Sequence, residues 1–118
     1  RPAGSHGLLV SGVEMTGFIG RSTTLAVVAT NARLSKEEVN KVAQMGQDGL
    51  ARSISPAHTI YDGDTVFAAA TGERPGDVNA VGAAAAEVVA QAIRRAVIKA
   101  EKAGGIIAYS DLREQARP

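Results

Sequence analysis

Two short stretches hold the residue types that could do chemistry. In "YDGDTVF", Tyr61 to Phe67, the carboxylates Asp62 and Asp64 are separated by one residue. On an extended backbone, residues two apart point to the same face. Carboxylates that close oppose each other's ionisation. Such a pair can move protons, hold an ammonium group or bind a metal. The same residues also read as a turn, because Asp-Gly is a common turn dipeptide. The metal reading is the weakest, since a hard cation takes roughly six or more oxygens and no further acidic cluster lies nearby.

The second stretch is "GRSTTLAVVAT", Gly20 to Thr30, where Ser22, Thr23 and Thr24 stand before an apolar run. A mid-chain Thr is a poor nucleophile without a base beside it. A Thr that begins a chain is different, because its own α-amine, with an unperturbed pKa of about 8, can accept the hydroxyl proton. Making that terminus requires cutting the preceding bond: the hydroxyl attacks the carbonyl before it, an ester forms, and water releases it. A Gly-containing leader followed by a hydroxyl residue at a strand start suits this reaction. On its own this is weak evidence, because many strands start with Thr. His6 falls in the leader, and His58 follows Pro56 in a loop, where it reads as structural or exposed. No Ser-His-Asp arrangement is suggested.

The elements that must position these residues follow from the hydrophobic pattern. Thr24 to Thr30 and Thr65 to Thr71 are short apolar runs with β-branched residues, the pattern of strands covered on both faces. Between them, Ser35 and Glu38 form a capping box, with Leu34 and Val39 placed as a hydrophobic staple. The face Val39, Val42, Ala43, Gly46, Leu50, Ala51 and Ile54 predicts a helix that Pro56 ends. Gly46 and Gly49 would let another backbone approach closely. After Pro75-Gly76, Asp77 is a good N-cap for an Ala-rich helix reaching about Ala103. Its expected stripe is Val81, Ala84, Ala85, Val88, Ala92, Ile93, Ala96 and Val97, and Gly104-Gly105 would stop it as a left-handed cap. "IIAYSDL" reads as a last short strand and turn. Residues 1–22 hold five glycines and no sustained periodicity. They read as a leader or linker with at most a short strand near Leu8 to Val10. Such a segment is the end of a preceding subunit, a precursor segment or a tag remnant, and the first residue, Arg1, points to a processed or fused start. Two buried strands with two helices make an incomplete sheet, so another chain is expected to complete it.

The bulk properties narrow the class. The 118 residues suffice for one domain with a modest core. Aromatics are only 3%, too few for the stacking platforms of single-strand nucleic-acid binding. Net charge is +1 with scattered basic residues, which argues against a phosphate-tracking patch. The chain has no cysteine, so disulfides, zinc-thiolate sites and cysteine nucleophiles are excluded. That fits a reducing compartment, and a cytoplasmic location is expected. No apolar run approaches the roughly 18 residues of a membrane span.

The stretch "TTLAVVATNARLSKEEVNKVAQMGQDGLARSISPAHTIYDGDTVFAAATGE", Thr23 to Glu73, closely resembles the small subunit of the DmpA-type peptidases. These are the L-aminopeptidase/D-esterases, β-peptidyl aminopeptidases and nylon-oligomer hydrolases. The family shows a Thr or Ser beginning a "VVAT" strand, a helix closing in "DGLAR", then "P-x-H-T", then "DGDTVFA-x-ATG". All occur here in order. Beyond Gly72 only the Ala-rich helix and "YSDL" match in kind. The resemblance implies an α+β fold, an αββα four-layer sandwich of the N-terminal-nucleophile hydrolase type completed with a larger partner chain. It implies a precursor that cuts itself between Ser22 and Thr23, leaving 23–118 as the small catalytic subunit. Thr23 is then the nucleophile, and Asp62 and Asp64 are its acidic partners. Ser22 stands where this branch commonly has Asn. Neither metal nor cofactor is implied. The implied partners are the large subunit of the same precursor, further copies of that heterodimer, and a small amide or peptide substrate such as an ω-amino-acid oligomer. Rival readings are acyl transfer of the ornithine-acetyltransferase kind and a non-catalytic assembly subunit that is never cut.

Overall fold

The computed structural model describes residues 22–117. The expected leader up to residue 21, with its short strand near Leu8 to Val10, lies outside the described residues. Strand β1 is Leu25–Arg33, helix α1 Lys36–Ser53, strand β2 Thr65–Pro75, helix α2 Val78–Lys99 and helix α3 Tyr109–Gln115. The strands pair in parallel, with Leu25 opposite Thr65 and Val28 opposite Ala68. Both strands run past the apolar stretches that announce them, to Arg33 and Pro75. The register shifts between Thr30 and Ala32.

Helix α1 starts on the expected box. The Ser35 N–H donates to Glu38 Oε1 at 2.8 Å, and the Glu38 N–H donates to Ser35 Oγ at 3.2 Å. Its chain leaves the helix at Ile54, which is already extended, ahead of Pro56. Val42 and Leu50 are fully buried, whereas Ala51 of the expected apolar face is exposed. Asp77 caps α2 by accepting from the Ala80 N–H at 2.9 Å. The core joins Val28 and Val66 of the strands, Val42 and Leu50 of α1, and Ala85 and Val89 of α2.

The two glycines of α1 work as a packing surface. A Cβ on Gly49 would lie 2.6 Å from the Ala86 carbonyl oxygen, and one on Gly46 would lie 3.0 Å from Val66 Cγ1. Gly49 therefore admits α2, and Gly46 lets α1 settle on β2.

Three expectations for the chain after Asp77 differ from the structure. The packed face of α2 is Gly82, Ala85, Ala86, Val89 and Ala90, rotated from the expected stripe. Small residues win the contact because Gly49 admits only a close backbone, while Val88 and Val97, each 51% exposed, face away from the core. Next, α2 ends at Lys99 rather than near Ala103. Gly104 and Gly105, with φ of 59° and 79°, form the centre of a two-residue hairpin turn instead of a helix cap. The N–H groups of Ala103 and Ile106 donate to each other's carbonyls at 3.1 and 2.9 Å, closing it, and positive φ at both central residues is what such turns require. Finally, "YSDL" opens α3 rather than closing a strand, with Asp111 Oδ2 accepting from the Ala108 N–H at 2.9 Å.

The strands are covered by helices on one face. Val28, Ala32 and Val66 lie beneath them, while on the other face Val27 is 72% exposed and Phe67 57%. Cover on both faces was expected; both long helices pack on the same side, and the second apolar face is bare in this chain. Among the described residues no helix is long and apolar enough to cross a membrane.

Candidate active site

The parallel pairing of β1 and β2 continues backwards past their first residues. Ser22 forms a parallel bridge with Asp62. The Gly63 N–H donates to the Ser22 carbonyl at 2.7 Å, and the Thr65 N–H donates to the Thr24 carbonyl at 3.0 Å. "STT" and "DGDT", a whole strand–helix unit apart in sequence, thus run side by side at the entry end of the sheet.

The two carboxylates have different duties. Asp62 Oδ2 accepts from the Thr59 N–H at 3.0 Å and from the Thr59 hydroxyl at 2.9 Å. The Asp62 N–H returns a bond to the Thr59 carbonyl at 3.1 Å, closing a tight turn over Thr59 to Asp62. Asp64 reaches across to the other strand, where its Oδ1 accepts from the Thr24 N–H at 2.8 Å. Asp62 closes a turn, one residue earlier than the Asp-Gly dipeptide suggests, while Asp64 bonds a backbone N–H of the neighbouring strand. Both side chains are half-buried, and Thr23 is exposed between them in sequence register.

Gly63 separates the carboxylates and lies against Thr23. A Cβ there would stand 2.9 Å from Thr23 Oγ1. The glycine therefore brings the backbone of "DGD" onto the hydroxyl. Residue types alone did not single out Gly63 or Thr59. The Thr-x-x-Asp spacing was the available sign for Thr59, since a side chain closing its own turn needs that separation.

Ser22, Thr23, Thr24, Asp62 and Asp64 are among the residues lining an open concavity of about 1580 Å³. Its walls are apolar: Leu25 and Val27 from β1, Val88 and Val97 from α2, and Leu112 from α3. The outward side of α2, including the Val88, Ala92 and Val97 of the expected stripe, thus becomes a wall of the cleft. His58 stays apart from this group. It is exposed in a loop, with φ 61°, a left-handed conformation uncommon for a residue with a side chain. Among the described residues no group of three or more His, Cys, Asp or Glu side chains is placed to hold a metal.

Thr23 thus lies in register with Gly63, between the two carboxylates in sequence, among the residues lining an apolar cleft. In comparison with known proteins, residues 3–109 match peptidase family S58, and the chain belongs to that family. It is 46% identical to an uncharacterized aminopeptidase of Mycobacterium leprae, over 75% of this chain and 28% of that protein. It is 42% identical to an uncharacterized aminopeptidase of Mycobacterium tuberculosis, over 77% of this chain and 31% of the relative. It is 36% identical to a 6-aminohexanoate-oligomer endohydrolase of Paenarthrobacter ureafaciens, over 64% of this chain and 25% of the relative. The chain spans less than a third of the length of these relatives. The resemblance to DmpA-type peptidases read from "VVAT", "DGLAR" and "DGDTVFA" holds at the level of the family.

Proposed function

We propose that this chain is the nucleophile-bearing part of an amide hydrolase, with Thr23 as the nucleophile. The observation that carries the proposal is the pairing of Ser22 to Thr24 against Asp62 to Thr65, which sets Thr23 Oγ1 against Gly63 between the two carboxylates. Cleavage of the Ser22–Thr23 bond frees the Thr23 amine. That amine then takes the hydroxyl proton as Oγ1 attacks a substrate carbonyl. An acyl-enzyme ester forms, the substrate's amine leaves with a proton, and water hydrolyses the ester. Asp64, fixed by the Thr24 N–H, and Asp62, fixed by Thr59, hold and orient the Thr23 ammonium and favour its proton transfers.

The bare face of the sheet and the open cleft support the remainder of the reading. A larger chain of the same precursor completes the site and the four-layer sandwich, and the heterodimer assembles further. The substrates are short peptides or 6-aminohexanoate-type oligomers, in line with the names of the relatives and with apolar walls that suit unhindered aliphatic backbones.

The test is intact-mass spectrometry of the full-length protein beside an assay of amine release from short peptides and 6-aminohexanoate oligomers. A fragment beginning at Thr23, together with amine release, is expected. A single uncut species that releases no amine would remove the proposal.

A further inference from the structure

The Ser22 carbonyl is the group that Thr23 must attack if the chain cuts itself, and it is already engaged. The Gly63 N–H donates to its oxygen at 2.7 Å, shorter than the 3.0 Å ladder bond from the Thr65 N–H to the Thr24 carbonyl. The same Gly63 lies where any Cβ would stand 2.9 Å from Thr23 Oγ1. One residue thus hydrogen-bonds the carbonyl oxygen and leaves open the space beside the attacking hydroxyl. Among the described residues the positive-φ glycines are Gly72, Gly104 and Gly105, and Gly63 is not one of them. Its backbone conformation does not require glycine. A Cβ there would crowd the Thr23 hydroxyl in the rotamer it adopts.

We propose that the Gly63 backbone N–H is the oxyanion donor of self-cleavage, and that position 63 is glycine to leave the Thr23 hydroxyl room to attack. This rests on the reading of Thr23 as the nucleophile. In the step, Thr23 Oγ1 forms a bond to the Ser22 carbonyl carbon, and negative charge develops on the Ser22 oxygen that Gly63 holds. The carbon–nitrogen bond then breaks. Its electron pair and the hydroxyl proton go to the Thr23 nitrogen, which becomes the free amine. The resulting ester joins the Ser22 acyl group to Thr23 Oγ1. Water hydrolyses it, giving a carboxyl group on Ser22 and restoring the hydroxyl. A fixed donor aimed at the oxygen where charge develops stabilises the transition state more than the ground state.

A ladder bond of ordinary structural kind would sit in the same place, so the test compares two ladder donors. Full-length precursor is made by cell-free translation with glycolic acid at position 63, which replaces the N–H by oxygen. A matched precursor carries the corresponding hydroxy acid at Thr65, removing the donor to Thr24 instead. Cleavage is followed by intact mass. The position-63 ester is expected to slow cutting by about 10²–10³-fold, the range for loss of one oxyanion donor, and the Thr65 ester by less than about threefold, as a donor away from the charge. Equal slowing by both, or no slowing at position 63, overturns the proposal. Gly63→Ala keeps the N–H but crowds Oγ1, and is expected to slow cutting by at least about tenfold, a small displacement of reacting atoms being enough for that; an unchanged rate overturns the close-approach half, whichever way the ester variants fold. Failure of the unsubstituted precursor to cut at Ser22–Thr23 strikes the Thr23 reading itself, and is seen separately.

Discussion

The backbone N–H of Thr24 donates to Asp64 Oδ1 at 2.8 Å, so the second carboxylate of "DGD" is anchored on the residue that follows Thr23. Asp64 is thereby tied to the backbone immediately after the residue that bears the hydroxyl. Removing it has two separable effects. Asp64→Ala leaves a half-buried N–H without its acceptor, which costs about 1–3 kcal/mol. Asp64→Asn keeps an acceptor and recovers most of that stability, but carries no charge to hold an ammonium. Urea unfolding of the full-length protein should separate the two variants, while amine release should be low in both. Full turnover in Asp64→Asn would remove the charge from the mechanism.

Thr23→Ala is expected to abolish cutting before residue 23 and to lower amine release by at least about 10⁴-fold, as loss of a nucleophile does. Thr23→Ser keeps a hydroxyl and should retain measurable cutting and turnover. Intact mass and an end-point amine assay read both. Cutting in Thr23→Ala would move the nucleophile elsewhere.

Asp62 is held through Thr59, whose N–H and hydroxyl both donate to Oδ2. Thr59→Val removes the hydroxyl's bond to Asp62 and the longer one, 3.3 Å, that it accepts from the Tyr61 N–H, and keeps the backbone bond to Asp62. It should cost about 1 kcal/mol of stability and lower turnover by a modest factor through a looser Asp62. A stability loss with unchanged turnover would make the turn a purely structural device.

Packing of the helices predicts a contrast between two glycines of similar setting. A Cβ on Gly49 meets the Ala86 carbonyl and Val89 at 2.6 and 2.7 Å, parts of a helix that cannot step aside. A Cβ on Gly82 meets the Met45 thioether, the end of a flexible side chain. Gly49→Ala should destabilise by about 1–3 kcal/mol, the range for overpacking. Gly82→Ala should fall within about 1 kcal/mol of the parent, because Met45 can rearrange and Ala favours the helix. Denaturant midpoints of the two full-length variants decide it; equal losses would mean that Met45 is as fixed as the helix backbone.

The sequence made the local order of the fold legible. The capping box at Ser35 and Glu38 and the cap at Asp77 rest on interactions within a few residues and appear as read, whereas the two apolar runs form strands that extend beyond them and are covered on one face. The face of α2 was less legible, because its apolar residues run around more than one side and only Gly49 and Gly82 decide which side packs. The glycine pair at 104 and 105 misled for a related reason: a left-handed glycine serves a helix end and a tight hairpin equally. At the site, Asp62 and Asp64 could be picked out by spacing, and Thr23 by its resemblance to a family. Their approach to one another could not, since it depends on the register of two strands with a helix between them. Gly63 carries no side chain to attract notice, and its closeness to Thr23 emerges only from what a side chain there would strike.

The bond from Gly63 to the Ser22 carbonyl closes a crossover that includes all of β1, α1 and the loop to β2. Until that crossover has been synthesised and folded, the contact does not exist. On the proposed chemistry, a nascent chain still tethered to the ribosome before β2 emerges is inert at Ser22–Thr23. The appearance of a new amino terminus then serves as a clock for tertiary folding, one that starts only when the second strand has found the first.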